Sequence, residues 1–189
     1  MKALLVHILL ALAVLGGGTA GPDPRMPLLV RDQVPLFLKI LSYDKNLAAR
    51  GDAVVLGVLY QERFRGSMLV KDDVLAAAAR FDAVGGRPVR AVPIPIDGTR
   101  DLEAALAEQG VNVIYVTPLR AYDVAAIARA AQARQALTLT GVPAYLGAGL
   151  AVSLDVKAGK PQILINLPAS EAEGADFHSQ LLRVAAVTR

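Results

Sequence analysis

The sequence predicts an α/β protein with three layers, in which helices cover both faces of a mostly parallel sheet. Between residues 34 and 140, apolar runs of strand length alternate with amphipathic helical patterns. Single helices between successive strands favour right-handed crossovers and parallel pairing. After residue 150, two apolar runs flank a short link that contains a glycine, which is typical of an antiparallel hairpin. The predicted fold is therefore a Rossmann-like sandwich with a C-terminal antiparallel hairpin.

The N-terminus has the pattern of a secretory signal peptide over residues 1–20. Lys2 precedes an apolar run from Ala3 to Leu15, in which His7 is the one polar residue. This run of roughly 13 residues is too short for a bilayer core that needs about 20, and the small residues Gly18 and Ala20 suit signal peptidase. We therefore expect cleavage near Ala20 and a periplasmic protein without a membrane anchor.

Composition limits the classes of function. Lys and Arg number 20 against 17 Asp and Glu, aromatic residues make up 5%, and no basic run is present, so a nucleic-acid partner is not expected. The chain has no cysteine, which excludes disulfides, thiol nucleophiles and zinc–thiolate sites. Its length suits one domain, which we assign to residues 31–189, behind a proline-rich flexible arm over residues 21–30.

The first two elements are a helix and a buried strand. Residues 34–41 predict the helix, because four apolar side chains recur at i, i+3, i+4 and i+7. We expect this helix to close near Arg50. Residues 53–60 are continuously apolar and rich in β-branched side chains, which is typical of a strand buried on both faces.

A second helix and a strand that contains prolines come next. The helical pattern around residues 74–81 is ended by Gly85-Gly86, and a strand is predicted over residues 89–96. Pro93 and Pro95 lie in this strand and cannot donate hydrogen bonds to a ladder. The strand is therefore expected at a sheet edge, or to end early.

The same periodicities predict the rest of the chain. The remaining elements are a helix over residues 102–106 capped by Gly98 or Thr99, a strand over 111–117, a helix over 124–131, a strand over 136–140, and hairpin strands over 150–156 and 162–167 joined by residues 157–161. A final helix is predicted to bury Phe177, Leu181, Leu182 and Ala185.

No set of residues demands catalysis or metal binding, and we predict no cofactor. His178 is the one histidine beyond the predicted leader, and a zinc site needs three or four converging ligands, so we place it in the exposed first turn of the last helix. Asp72-Asp73 is placed near the start of the second helix, where the dipole favours acids. Gly147-Ala148-Gly149 lacks the third glycine and the following helix of a dinucleotide loop, so we interpret it as a tight turn.

One candidate binding site remains at the edge of the sheet. Ligands of open parallel sheets bind outside the carboxyl ends of the strands. The residues that the sequence offers there, for a small ligand or a peptide, are Tyr60, Gln61, Asp97, Thr117 and Thr140. The alternative is that these side chains only cap helices and close loops.

Several blocks of the sequence are similar to a known family. They are residues 159–167 (GKPQILINL) followed by Ala172, Gly174, Phe177, Ser179, Leu181 and Leu182, then residues 38–39 and 43–47, and the strand 55–59. With these blocks, their order along the chain and their position behind a predicted signal peptide, the chain resembles the YfiR-like family of periplasmic proteins.

The resemblance implies a compact α/β domain, often dimeric, that has no catalysis of its own. The best-known member of that family restrains an inner-membrane diguanylate cyclase by binding its periplasmic sensor domain, and so alters cyclic-di-GMP output. Redox sensing through disulfides, which such members use, does not carry over to a chain without cysteine. Asn166 matches the family's asparagine at the end of the last strand, where its amide is expected to tie the strand to the next helix.

The leading hypothesis is an exported, non-enzymatic adaptor that regulates a membrane signalling protein, such as a diguanylate cyclase or a sensor kinase. Contact with the partner's periplasmic domain would involve the first or the C-terminal helix, and a homodimer is compatible with the family. The alternative is a periplasmic small-molecule-binding component that serves a transporter or a receptor. An enzyme would require a role for Asp97, Thr117 or His178.

Overall fold

A computed structural model describes residues 25–96 and 101–189 as an alternation of helices and strands. The helices are α1 (Val30–Leu41), α2 (Arg65–Ala78), α3 (Leu102–Glu108), α4 (Val124–Arg134), α5 (Leu167–Ala172) and α6 (Ser179–Val184). The strands are β1 (Val54–Tyr60), β2 (Ala83–Val84), β3 (Arg87–Pro95), β4 (Val113–Val116), β5 (Leu137–Thr140), β6 (Val152–Lys157), β7 (Lys160–Asn166) and β8 (Ala186–Thr188). The predicted signal peptide, Asp97, Gly98 and Thr99 lie outside the described residues.

Within the described ranges, eight strands form one sheet in the order β2-β3-β1-β4-β5-β6-β7-β8. The strands β3, β1, β4, β5 and β6 pair with one another in parallel. Parallel neighbours need crossover connections, and α2, α3 and α4 supply three of them. β6 and β7 form an antiparallel hairpin, and β8 returns parallel to β7. The predicted fold class is confirmed.

Both faces of the sheet are buried, as β1 shows. Val54, Leu56 and Val58 belong to a core shared with residues of α1 and α2. Val55 and Leu59 belong to a second core shared with residues of α3 and α4. Alternate residues of a strand point to opposite faces, so the sheet is the middle one of three layers. Each such aliphatic side chain stabilises the fold by about 1.5–3 kcal/mol when fully buried.

The two prolines of β3 lie on its open side. The Val89 amide donates to the Asp82 carbonyl, away from β1. Backbone amides two residues apart on a strand point the same way, so Pro93 and Pro95 also face away from β1. β2 pairs only with the first two residues of β3. The predicted edge environment is therefore confirmed for the part of the strand that contains the prolines.

Three predictions about the N-terminal half are wrong. α1 ends at Leu41 and not near Arg50, because the chain turns there and forms a separate 3-10 helix over Leu47–Arg50. α2 begins at Arg65, so Asp72-Asp73 lies in the middle of that helix. The cap of α3 was predicted at Gly98 or Thr99, but it is Asp101, whose Oδ1 accepts hydrogen bonds from two first-turn amides at 3.0 and 3.3 Å.

The C-terminal region also differs from its prediction. The hairpin turns on two residues, Ala158 and Gly159, both with positive φ, where five linking residues were expected. The predicted last helix is divided: Phe177 forms an isolated bridge with Asp44, and only Ser179–Val184 is helical. α5 and β8 were not predicted, because neither is long enough to show a clear periodicity.

Candidate functional site

The residues predicted at the carboxyl edge end up as neighbours, because β1, β4 and β5 are adjacent in the sheet. Buried Thr117 donates from Oγ1 to the Leu59 carbonyl at 2.8 Å, and Thr140 donates to the Val116 carbonyl at 3.0 Å. These two hydroxyls join adjacent strands. Such bonds match the alternative reading, in which the threonines close the edge of the sheet.

The other two described residues of that set also contact the protein itself. The Gln61 amide group exchanges two hydrogen bonds with the backbone of Arg120, at 2.7 and 3.0 Å. The Tyr60 ring lies 4.9 Å from Lys71 Nζ, within the range of a cation–π contact. Asp97 lies outside the described residues. A binding cleft at this edge stays a prediction.

The opposite, amino edge of the sheet contains a buried ion pair that the sequence analysis missed. Asp44 Oδ2 accepts from Arg50 Nε at 3.0 Å, and the two side chains are 0% and 6% exposed. Asp44 Oδ1 also accepts from the amides of Asn46 and Asp176, each at 2.9 Å. Buried charges persist only when they are paired and hydrogen-bonded, and this carboxylate meets both conditions.

A second buried acid, Glu173, lies near the same arginine. Its Oε2 accepts from the Thr138 amide at 2.7 Å, and Thr138 Oγ1 donates to its carboxyl group at 2.8 Å. Burial raises the pKa of Glu173 to about 8, while the hydrogen bonds from Thr138 and the charge of Arg50 act in the opposite direction. The carboxyl group is therefore mostly protonated at neutral pH.

Arg50 connects this charged cluster to backbone at the sheet's edge. Its Nη1 donates to the carbonyls of Gln135 at 2.6 Å and Glu173 at 3.1 Å. Gln135 ends α4 in the left-handed region, with φ of 51°. Asn112 also belongs to this hydrogen-bond network, because its Nδ2 donates to the Arg50 carbonyl and its Oδ1 accepts from the Val55 amide.

A cleft of about 460 Å³ opens beside these groups, and we name it the amino-edge cleft. Its lining includes Asn46, Arg50, Gly110, Asn112, Arg134 and Gln135. The lining is mostly polar and comes from the segments that precede β1, β4 and β5, and from Gly174, which follows α5. One sequence signal could have indicated part of it: Arg50 and Glu173 each directly precede a glycine with positive φ, which marks the end of an element.

The remaining candidates have structural positions. His178 is exposed, as predicted, but it lies directly before α6 and not in its first turn. Gly149 ends the 3-10 helix Pro143–Ala148 with φ of 101°, so the predicted turn at Gly147-Ala148-Gly149 is confirmed. No group of three or more His, Asp or Glu in the described residues could hold a metal ion.

Residues 48–186 match the YfiR/HmsC-like family. The chain belongs to this family. The matched range contains Arg50 and Glu173 of the buried cluster and starts after Asp44. YfiR/HmsC-like proteins form a periplasmic, regulatory and non-catalytic family whose members act through protein partners. No helix among the described residues is long and apolar enough to cross a bilayer.

Solved structures with the same fold extend this comparison, although no curated protein matches the YfiR/HmsC-like chain. A conserved domain protein from Vibrio cholerae is similar over 89% of this chain, with a TM-score of 0.63 and 19% identity. The ABC domain of Streptococcus pneumoniae in complex with L-Trp is similar over 86%, with a TM-score of 0.62 and 12% identity. A ligand-free, open substrate-binding protein with adhesive properties from Clostridium difficile is similar over 84%, with a TM-score of 0.61 and 13% identity.

These comparisons establish the fold alone, because the identities are low. The chain spans 62%, 62% and 59% of the length of the three structures.

The family asparagine, Asn166, has the role expected of it: its Oδ1 accepts from the Ala169 amide at 3.2 Å and caps α5, and its Nδ2 donates to the Leu146 carbonyl. It therefore joins β7 to the next helix.

Proposed function

We propose that this YfiR/HmsC-like protein is an exported, non-enzymatic adaptor that regulates an inner-membrane signalling protein, such as a diguanylate cyclase or a sensor kinase. The observation that carries the proposal is the family match over residues 48–186, which contains β1 through β7. The adaptor would contact the periplasmic domain of its partner. Binding would stabilise the partner's inactive state through its higher affinity for that state, and a difference of about 3 kcal/mol is enough for a strong population shift.

The exposed residues favour the C-terminal helix over the first helix as part of the contact surface. α1 buries seven of its twelve residues, so little of it can meet a partner. On α6, by contrast, Val184 is 72% exposed. Leu69 on α2 is also apolar and 53% exposed, which makes it a matched control on another helix. Aliphatic side chains of this kind contribute to an interface by leaving water on binding.

The test is complementation in the native host. Deleting the gene should change the cyclic-di-GMP level if the partner is a cyclase, and the wild-type protein should capture one inner-membrane signalling protein from the envelope. The Leu69→Asp variant should restore both effects, whereas Val184→Asp should restore neither. Failure of the wild-type protein to capture any membrane signalling protein, with an unchanged nucleotide level, would contradict the proposal.

The location and the boundaries are part of the same proposal. We propose that residues 1–20 are removed on export, that residues 31–189 form the functional domain, and that the product is periplasmic. N-terminal sequencing of the protein recovered from the periplasm should then begin at Gly21. Light scattering of the purified protein measures whether it forms the homodimer that the family resemblance suggests.

A second function is a periplasmic small-molecule-binding component that serves a transporter or a receptor. The observation that favours it is that two of the similar structures are an ABC domain in complex with L-Trp and a substrate-binding protein. A binder gains stability from its ligand by mass action, so a thermal-shift screen of metabolites separates the two functions. If the carboxyl edge binds the ligand, Gln61→Ala should remove the shift, and Arg80→Ala, an exposed change on the α2 side, should leave it.

A further inference from the structure

The amino-edge cleft contains a buried cationic donor whose hydrogen bonds are incomplete. The Arg50 side chain is 6% exposed, its Nε donates to Asp44, and its Nη1 donates to two backbone carbonyls. Its Nη2 is shielded from solvent and makes no hydrogen bond with any described residue. A buried polar group without a partner is unfavourable, and more so when it is charged. The guanidinium group therefore lacks one acceptor.

The charges around the cleft favour an acceptor with a negative charge. Asp44 balances the charge of Arg50, and Lys45 is paired with Asp176 at 2.9 Å. Glu173 is mostly neutral, because burial raises its pKa to about 8. Arg134, on the cleft lining, is exposed and forms no ion pair with another described residue. Among the side chains that line the cleft, Arg134 therefore leaves one positive charge unbalanced.

We propose that the amino-edge cleft binds a carboxylate group, which is attracted by the charge of Arg134 and accepts a hydrogen bond from Arg50 Nη2 after a small rotation of the guanidinium group exposes that nitrogen to the cleft. A guanidinium group is planar and weakly hydrated, and its N–H donors match the oxygen atoms of a carboxylate, with which they form charge-assisted hydrogen bonds. A carboxylate brings one negative charge, which Arg134 balances. A volume of about 460 Å³ also leaves room for the carrier of the carboxylate.

Two carriers share this chemistry: a small free acid, and an acidic side chain of a bound protein. The inference does not rest on the proposed regulatory role, because both carriers are tested on the purified protein alone. Its failure and the failure of the adaptor proposal are therefore distinguishable.

The experiment is an NMR titration with sodium propionate that follows Gly110, Gly174 and the Nε–H signal of Arg50. Propionamide and sodium chloride at the same concentrations are the matched controls. We expect saturable shifts of these signals with propionate and none with either control. Arg134→Ala should weaken propionate binding at least threefold, while Arg63→Ala, which removes an exposed arginine after β1, should leave it unchanged.

The donor itself is tested with Arg50→Lys, which keeps the positive charge and removes Nη2. This variant should lose propionate binding while its circular dichroism spectrum stays that of the wild type. If Arg50→Lys does not fold, the Arg134→Ala result decides.

The carrier is identified with N-acetyl-L-glutamic acid N-methylamide and its glutamine counterpart. Tighter binding of the blocked glutamate than of propionate identifies an acidic protein side chain as the ligand, and tighter binding of propionate identifies a small free acid. The proposal is overturned by an equal response to acids and amides, by a propionate response that Arg134→Ala leaves unchanged, or by no saturable response to either acid.

Discussion

Tyr115 Oη donates a hydrogen bond to Gln33 Oε1 at 2.9 Å in the core between α1 and β4. Both side chains are buried, and Gln33 Nε2 donates in turn to the Leu28 carbonyl at the entrance of α1. Burial raises the pKa of Tyr115, so the phenol stays protonated and remains a donor. A Cβ atom at Gly141 would overlap the Gln33 side chain, which explains the glycine at that position. This polar contact fixes the position of α1 on an otherwise apolar face.

We predict that Tyr115→Phe lowers the free energy of unfolding by about 1–2 kcal/mol, because it leaves the Gln33 oxygen buried without a donor. Gln33→Leu should also destabilise the protein. The double variant should lose less than the sum of the two single changes, since it leaves neither partner of this bond unpaired. Urea denaturation of the four proteins measures the coupling, and additive losses would show that the bond contributes nothing.

The apolar elements were predictable from the sequence, because their pattern reports burial directly. β1 is a continuous apolar run and is buried along six of its seven residues. α4 has its predicted apolar face, which includes Ile127 and Ala131. In both segments, local periodicity and tertiary burial select the same residues. The end of α1 was missed because the sequence has no glycine between this helix and Gly51, so it shows no earlier stop signal.

The charged cluster was not predictable, because its members are far apart in the chain. Asp44 and Arg50 are separated from Glu173 by more than 120 residues, and no spacing rule connects them. α2 was misplaced for a related reason: its first turn has no capping side chain, so the sequence shows no start signal before Arg65. Long-range polar contacts and uncapped ends are therefore the features that needed the structure.

The buried ion pair at the amino edge should be important for stability. We predict that Asp44→Asn lowers the free energy of unfolding by about 3 kcal/mol, because Arg50 keeps its charge and loses its anionic partner. The control is Asp123→Asn, which removes the charge from an exposed pair with Arg129. Asparagine caps a helix as well as aspartate does, so this change should not alter the unfolding midpoint. Chemical denaturation compares the two variants, and equal effects would contradict the prediction.

Glu173 should make stability depend on pH. Its pKa is raised from an ordinary value of 4.5 to about 8 in the folded protein. Below pH 4.5 the group is protonated in both states, and its contribution is fully present. As pH rises from 4.5 to 8 the unfolded chain ionises first, so folding loses up to about 1.4 kcal/mol per pH unit, and above pH 8 the loss is complete.

Glu173→Gln tests this dependence, because glutamine resembles the protonated acid and can keep the hydrogen bonds with Thr138. We predict that the unfolding free energy of the variant, measured by urea denaturation, rises steadily relative to that of the wild type between pH 5 and 8. All other titrating groups are common to both proteins and cancel in the difference. A difference in unfolding free energy that is constant over this range would show that Glu173 is already ionised in the folded state.

Gly57 allows close packing between β1 and the segment that precedes β4. A Cβ atom at this position would lie 2.8 Å from Val111 Cγ1 and 2.9 Å from its Cγ2, closer than such carbons approach in folded proteins. We predict that Gly57→Ala costs about 1–3 kcal/mol of unfolding free energy, as overpacking does in tight cores. Val111→Ala alone should also destabilise, because it leaves a cavity beside the sheet. The double variant should be more stable than Gly57→Ala alone, since the alanine methyl group then fills the space that the valine vacates. Thermal denaturation of the three variants checks this order, and a double variant less stable than both single ones would show that the two positions do not share that space.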